Sequence, residues 1–492
     1  MTKGLLLIPA AVALALTGCV NLAPNNGTPA APTPAQWPTG EAYAALPKTA
    51  EALPVWREVF TDPKLVAVIE RALENNRDLR TAALNVEKAR AAYGVTRASE
   101  FPTINAAASN VAQHTAGTLN ALTGEGKTAH NYTAQLAMAS YELDFFSRVK
   151  NLSEAALQSY LATEDAQRSA QSALIAQTAM AWHQLGADQE QLSLQRSLLK
   201  SQEETYRLIE SSYRIGSVSQ LELEQAKTTV EAARAAIVSY VRAVAQDKNA
   251  LELLVGGTLE DSLLPTGLPV GAMRTTLPVG LPGDVLLKRP DILAAERALR
   301  AADANIGVAR AAFFPRVTLV AGAGTAGLHL SDLFDPHSGM WTFTPSITLP
   351  IFNGGLNRAN LEVAEVQQRL AVTAYEKAIQ SAFKEVSNSL ALVGTVDREL
   401  SAREAYTAAA DNAYKLSDAS YKAGAVSYSD VLVAQRTMVS AHQTLINTKL
   451  SKLSGLITLY QALGGGTDPL AEPSLNAAPA EASTVLDKPE VK

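Results

Sequence analysis

Tyr213-Arg214-Ile215-Gly216-Ser217-Val218-Ser219 and Tyr421-Lys422-Ala423-Gly424-Ala425-Val426-Ser427 share one design. Each closes a long proline-free stretch, about Ser147 to Arg214 and about Leu356 to Lys422. Glycine fits the left-handed position just past a helix end. The serine three residues later fits an N-cap, with Glu222 or Asp430 at the capping-box position. Each stretch therefore reads as a long helix that turns back sharply into a second helix, ending near Gly256 or Gly464. Some 65 helical residues span roughly 100 Å. Apolar residues recur every seven: Leu185, Leu192, Leu199 and Tyr206 in one helix, Val372, Ile379, Val386, Val393 and Leu400 in the other. That period predicts left-handed, coiled-coil-like packing.

Working outward, the two turns are landmarks of an internal repeat. Asp78-Leu79 falls on Asp291-Ile292, Gly94-Val95 on Gly307-Val308, and Phe101-Pro102 on Phe314-Pro315. Tyr141, Leu143 and Phe146 fall on Ile347, Leu349 and Phe352, and Gly256-Gly257 on Gly464-Gly465. The matches are collinear. Each half reads helix, strand, strand, long helix, helix. The opening helices are expected over Pro63 to Ser99 and Gly283 to Ala312, each ended by Phe-Pro, since proline disfavours helix in the residue before it.

The expected strands are Thr103 to Gln113 and Asn131 to Phe145, then Arg316 to Gly327 and Met340 to Ile351. The clearest alternation sets Leu136, Met138, Ser140 and Glu142 against Ala137, Ala139, Tyr141 and Leu143. Strands of about 9–11 residues with weak alternation are what membrane barrels show. Tyr132, Tyr141, Trp341 and Phe343 are candidate interfacial anchors. The strands alone leave a soluble half-buried sheet open.

Cys19 is the single cysteine among 492 residues. It follows Lys3, an apolar run from Leu5 to Leu16, and Thr17-Gly18, the anatomy of a secretory signal. Leu16-Thr17-Gly18-Cys19 also resembles a bacterial lipobox, in which the cysteine is acylated and becomes the first mature residue. Val20, rather than aspartate, follows it, which implies outer-membrane sorting. With no other thiol, no disulfide framework exists. Ala23 to Trp37 is rich in Pro, Asn and Thr and reads as a flexible tether.

The expected domains are a signal peptide at 1–18, a lipidated N-terminal segment at 19–55 and a first repeat at 56–257. A linker at 258–282, a second repeat at 283–466 and a tail at 467–492 follow. A net charge of −6 without a basic stripe argues against nucleic acid. After the signal no run approaches the roughly 20 apolar residues of a membrane helix. Entry into a bilayer is thus expected by the lipid or by β-strands. Four strands cannot close a barrel, because outer-membrane barrels begin at about eight. Two copies give a filled eight-strand barrel and three give twelve strands with a lumen. The expectation is a homotrimer whose β-pore continues into an α-helical tube.

Several stretches carry a family resemblance. They are Leu286-Leu287-Lys288-Arg289-Pro290-Asp291-Ile292, Phe313-Phe314-Pro315, Tyr141-Glu142-Leu143-Asp144 and Leu349-Pro350-Ile351-Phe352-Asn353-Gly354-Gly355. Ala434-Gln435-Arg436 and Tyr460-Gln461-Ala462-Leu463-Gly464-Gly465-Gly466 complete the set. From about Trp56 to Gly466 the chain resembles the TolC-type outer-membrane factors, in the lipoprotein branch that serves tripartite efflux pumps. The resemblance implies a trimeric twelve-strand barrel continuous with a periplasmic helical tunnel. It also implies an equatorial belt from the linker and terminal segments. The implied partners are a periplasmic adaptor (membrane-fusion) protein, an inner-membrane RND-type pump and outer-membrane lipid, and the implied function is passive export of small molecules. A type I protein-secretion duct and a periplasm-spanning coiled-coil lipoprotein are the alternatives.

No nucleophile motif or phosphate loop is present, so neither enzymatic chemistry nor a cofactor is expected. His114, His130, His329 and His337 lie around the two strand-to-strand loops without metal-ligand spacing. In the resembled family the turn-back ends constrict the tunnel. The candidate aperture residues are Asp430, Arg436 and Tyr428, with Glu222 and Glu224 as first-repeat counterparts. Gly216, Ser219, Gly424 and Ser427 form the tip turns and the candidate adaptor contact. Asp430 is equally a capping residue, and the two roles are compatible. Many family members carry aspartate immediately before Ala-Gln-Arg; here that position is Val433.

Overall fold

The computed structural model describes residues 20–43, 53–119, 126–269 and 271–467. The signal peptide, Cys19 and all but the first residue of the tail lie outside them. Two copies of one element order follow each other. The first is α1 (Pro63–Asn75), α2 (Arg77–Arg97), β1 (Ile104–Thr115), β2 (Lys127–Leu143), α3 (Arg148–Arg214) and α4 (Gln220–Val255). The second is a single turn at Pro282–Leu286, α5 (Pro290–Ala311), β3 (Arg316–Gly327), β4 (Gly339–Thr348), α6 (Leu356–Lys422) and α7 (Tyr428–Ala462).

The long helices α3 and α6 each run 67 residues, at the limits expected from their proline-free stretches. Their heptad positions are covered: Leu185, Leu192, Ile379 and Val386 are buried, and Leu199, Tyr206, Val372, Val393 and Leu400 are half-buried.

The opening helices differ from expectation. Each is split, and the second pieces begin at matched positions, Arg77 and Pro290. Asn76 makes the first break. Its backbone is extended, its carboxamide oxygen accepts Leu79 N–H at 2.8 Å, and its amide donates to Leu254 O at 2.8 Å. One side chain thereby starts a new helix and ties it to α4. Proline makes the second break, since Pro290 lacks the N–H that a continuing helix requires.

The chain forms two compact units. One holds the sheet. Its strands run β1-β2-β3-β4, all antiparallel, so the two repeats join where β2 pairs β3. α5 packs on the first turns of α3 through Ala155, Ala301 and Ala304, and Phe146 stacks on Phe314 at 4.7 Å.

The other unit holds a core of Phe60, Leu65, Ile69, Trp182, Leu185, Leu251, Leu286 and Ile457. Here the inter-repeat linker pairs with the start of the first repeat: Phe60 bridges Met273, and Thr61 N donates to Ala272 O at 3.0 Å. Arg289 is buried, donating to Ala462 O at 2.8 Å and pairing with Glu385 at 2.9 Å.

The Pro-rich tether has no helix or strand, yet it is held down. In the sheet unit, Asn26 donates to Asp303 at 3.3 Å and Thr28 to Glu296 at 3.1 Å, and just before the tether Val20 N donates to Phe145 O at 3.1 Å and Arg310 to Leu22 O at 3.2 Å. In the helical unit, Trp37 is 6% exposed, donates to Gly280 O at 2.7 Å and stacks on Phe383. Composition predicted a loose tether because it registers the lack of regular structure and is blind to these side-chain contacts.

Candidate functional site

The sheet sorts its side chains by chemistry. Register places Ile104, Leu136, Met138, Val317, Leu319, Trp341, Phe343 and Ile347 on one face. The opposite face carries Asn105, Ser109, Thr133, Gln135, Glu142, Arg316, Thr318, Thr342, Thr344 and Ser346. Trp341 is 78% exposed and Phe343 61%, so this part of the apolar face is open, while Tyr141 at its helix end donates to Glu100 O at 3.1 Å. All four candidate anchors, Tyr132, Tyr141, Trp341 and Phe343, lie on it.

One expectation about β2 is corrected. Leu136 and Met138 share their face with Tyr141 and Leu143, not with Glu142. A bulge between Met138 and Tyr141 inserts an extra residue and reverses the alternation. The apolar face stays continuous because of that bulge. Close approach of β2 to β3 also explains Gly324: a Cβ there would collide with Ala134 O.

At the helix end of the polar face, Glu142 accepts from Arg148 Nε and Nη2 at 2.7 Å each and forms an ion pair with Arg316 Nε at 2.6 Å. Asp144 accepts the backbone N–H of Arg148 at 2.6 Å and of Lys150 at 2.8 Å, capping α3. Between them Ser147 holds φ 54°, a left-handed conformation costing a non-glycine residue about 1 kcal/mol. No sequence signal marked this junction as a cluster; the pairing of β2 with β3 brings Arg316 to Glu142.

The tips are built as the sequence required. Gly216 and Gly424 have φ 76° and 77°. Ser217 N donates to Ser212 O and Ala425 N to Ser420 O, both at 2.9 Å, closing the same helix-end motif twice. Ser427 and Asp430 form a full capping box, with Asp430 Oδ2 accepting Ser427 N at 3.0 Å and Ser427 Oγ at 2.7 Å. Ser219 caps α4 by accepting Glu222 N at 3.2 Å. The Glu222 carboxylate lies beside Tyr421 instead of returning to the cap, and burial, then this negative charge, push the Tyr421 phenol up.

The two hairpins share a small core: Ile209 from α3, Ala226 from α4, and Tyr428, Val431 and Leu432 from α7, with Tyr414 and Tyr421 of α6 against them. Tyr428 is 4% exposed and its phenol is pushed up to about 12 by burial. It stands 5.3 Å from the Tyr421 ring, inside the hairpin core and away from solvent. Asp430, Arg436 and Glu224 are exposed, and Glu222 is half-buried. Arg436 borders a groove of about 470 Å³ with Gln202, Gln435 and Gln443. Among the described residues no group of three or more His, Cys, Asp or Glu side chains is placed to hold a metal ion. His337 instead bonds Asp335, and His114 bonds Thr128.

A four-stranded sheet with one apolar and one polar face, unpaired at both edges, joined to long helical hairpins, defines a TolC-like outer-membrane channel subunit. The chain belongs to the outer membrane efflux protein family, whose model matches residues 68–257 and 281–465, one span for each repeat. It is 46% identical over 467 residues to the solvent efflux pump outer membrane protein SrpC of Pseudomonas putida, covering 93% of this chain and 98% of that one. A crystal structure of a membrane protein from Pseudomonas aeruginosa superposes with a TM-score of 0.85 at 38% identity, over 90% of this chain and 100% of that one. The open-state MtrE outer membrane channel of Neisseria gonorrhoeae gives 0.82 at 37% identity, over 91% and 98%. The protein is an outer-membrane channel component of an efflux pump.

Proposed function

We propose that three copies of the chain close a twelve-stranded barrel and form a passive exit duct for small molecules. The duct works with a periplasmic adaptor and an inner-membrane RND-type transporter. The supporting observation is the strand order: β1 and β4 pair on one side only, leaving both edges open. Each unsatisfied backbone group in lipid costs several kcal/mol, which a ring of three sheets removes. Organic solvents are the substrate class that the name of SrpC brings to this chain. The hairpin tips form the closing end, with Asp430, Arg436, Glu222 and Glu224 at or beside the constriction and the Gly216 and Gly424 turns meeting the adaptor. Tyr428 braces it from the hairpin core.

Mass determination of the detergent-solubilised protein is expected to give a trimer, and planar-bilayer recording of that trimer to give single-channel currents. A stable monomer or dimer removes the basis of the duct.

A further inference from the structure

We infer that Arg316 sets the ion preference of the channel wall, making the helix-proximal end of the polar sheet face favour anions over cations. This rests on the proposed trimer, in which the polar face lines the lumen.

The strands are almost free of charge. Lys127, Glu142 and Arg316 are their only Asp, Glu, Lys or Arg residues, and register places all three on the polar face. Lys127 stands at the loop end, opposite Thr115. The other two meet at the helix end, where one carboxylate serves two guanidinium groups. Glu142 is 10% exposed at its side chain, enclosed by both arginines, whereas the Arg316 side chain is 58% exposed. Arg148 gives Nε and Nη2 to the carboxylate, while Arg316 approaches it with Nε at 2.6 Å. Asp144 accepts the backbone N–H groups of Arg148 and Lys150 at the start of α3, and the Lys150 residue itself is exposed.

Glu142, Asp144, Arg148, Lys150 and Arg316 together carry one net positive charge per chain, and on the polar sheet face the solvent-open charge is Arg316. Elsewhere the polar face offers Ser, Thr, Asn and Gln, which hydrate either ion. Threefold repetition of Arg316 makes a ring, and rings of like charge are an ordinary means of selecting ions. Glu142 keeps each guanidinium in place without cancelling the ring. The bulge at Met138 and Tyr141 is what brings Glu142 to this face.

The test is the reversal potential of purified trimer in a planar bilayer under a potassium chloride gradient. Arg316→Gln is expected to lower the chloride-to-potassium permeability ratio at least about twofold relative to the parent, twofold being the effect of a single charge at some 8 Å through water on a single ion. Arg316→Lys is expected to keep the parent ratio. Raising the salt shrinks the Arg316→Gln difference by screening. Ser346→Lys, on the polar face of β4, adds a positive charge without touching the ion pair and is expected to raise the ratio. If Arg316→Gln fails to assemble, Ser346→Lys decides alone, and an unchanged ratio overturns the inference. A conducting Arg316→Gln trimer with the parent ratio overturns it, as does an equal shift in Gln and Lys variants. A parent trimer that carries no current overturns the duct itself, a distinct failure.

Discussion

Residue identity matters most where the backbone leaves no choice. Gly424 shows this at the tip. Nothing lies within 4 Å of where its Cβ would be, so a larger side chain has room. The penalty is purely conformational, from φ 77°. Gly424→Ala is expected to cost about 1 kcal/mol and Gly424→Val about 2 kcal/mol, read as falls in thermal or denaturant stability. Equal costs would mean that the turn relaxes to another geometry. Ser147 is the opposite case, a left-handed residue with a side chain, buried where β2 gives way to α3. The Asp144 cap and the Asn151 N–H bond to Ser147 O at 2.9 Å hold it there.

At the scale of elements, the contacts between helices carry the pH dependence and the closure. Asp247 of α4 lies against Asp188 of α3 and is pushed up to about 7, by burial first and then by the hydrogen bond and charge of Asp188. The folded chain therefore keeps a proton that the unfolded chain, with a carboxyl near 3.8, has lost. Stability from this site is complete below the unfolded value and is lost as pH rises through about 7. Asp247→Asn is expected to flatten that slope, so its melting temperature matches the parent in acid and exceeds it at alkaline pH. Parallel curves across the range would remove the pair as the cause. At the tip, Asp430 spends both its charge and its geometry on the α7 cap, worth about 1 kcal/mol. Neutralising Asp430 with Glu222 (Asp430→Asn, Glu222→Gln) is expected to loosen both hairpins and raise conductance in trimers of intact mass. An unchanged, low conductance would move the closure to other residues.

At the scale of the whole molecule, insertion has two independent sources, the apolar sheet face and the proposed lipid on Cys19. Cys19→Ser is expected to abolish the lipid mass on the mature chain while leaving trimer assembly nearly intact, checked by mass spectrometry of processed protein. An unchanged mature mass and processing would end the lipoprotein proposal. The segment from Val20 to Leu22 is docked at the foot of β2, through Phe145 and Arg310.

What the sequence determined by itself is whatever local chemistry enforces. The heptads drew α3 and α6 to their observed limits, because seven-residue spacing and absent prolines act within one helix. Glycine and serine spacing drew both tip turns for the same reason. The repeat exposed the two-fold order of elements and, through four unclosable strands, the need for more than one chain. The tertiary structure decided what depends on partners far apart in the chain. Asn76 breaks the opening helix because Leu254 is there to accept its amide. The β2 bulge reverses an alternation that reads as unbroken, since only pairing with β3 shows which residue is extra. The tether is docked by residues some 240 to 280 positions away. Tyr428, read as a tip residue from its neighbours in sequence, is buried because α3 and α4 pack over it. The Glu142, Arg148 and Arg316 cluster exists only because the second strand of one repeat lies against the first strand of the next.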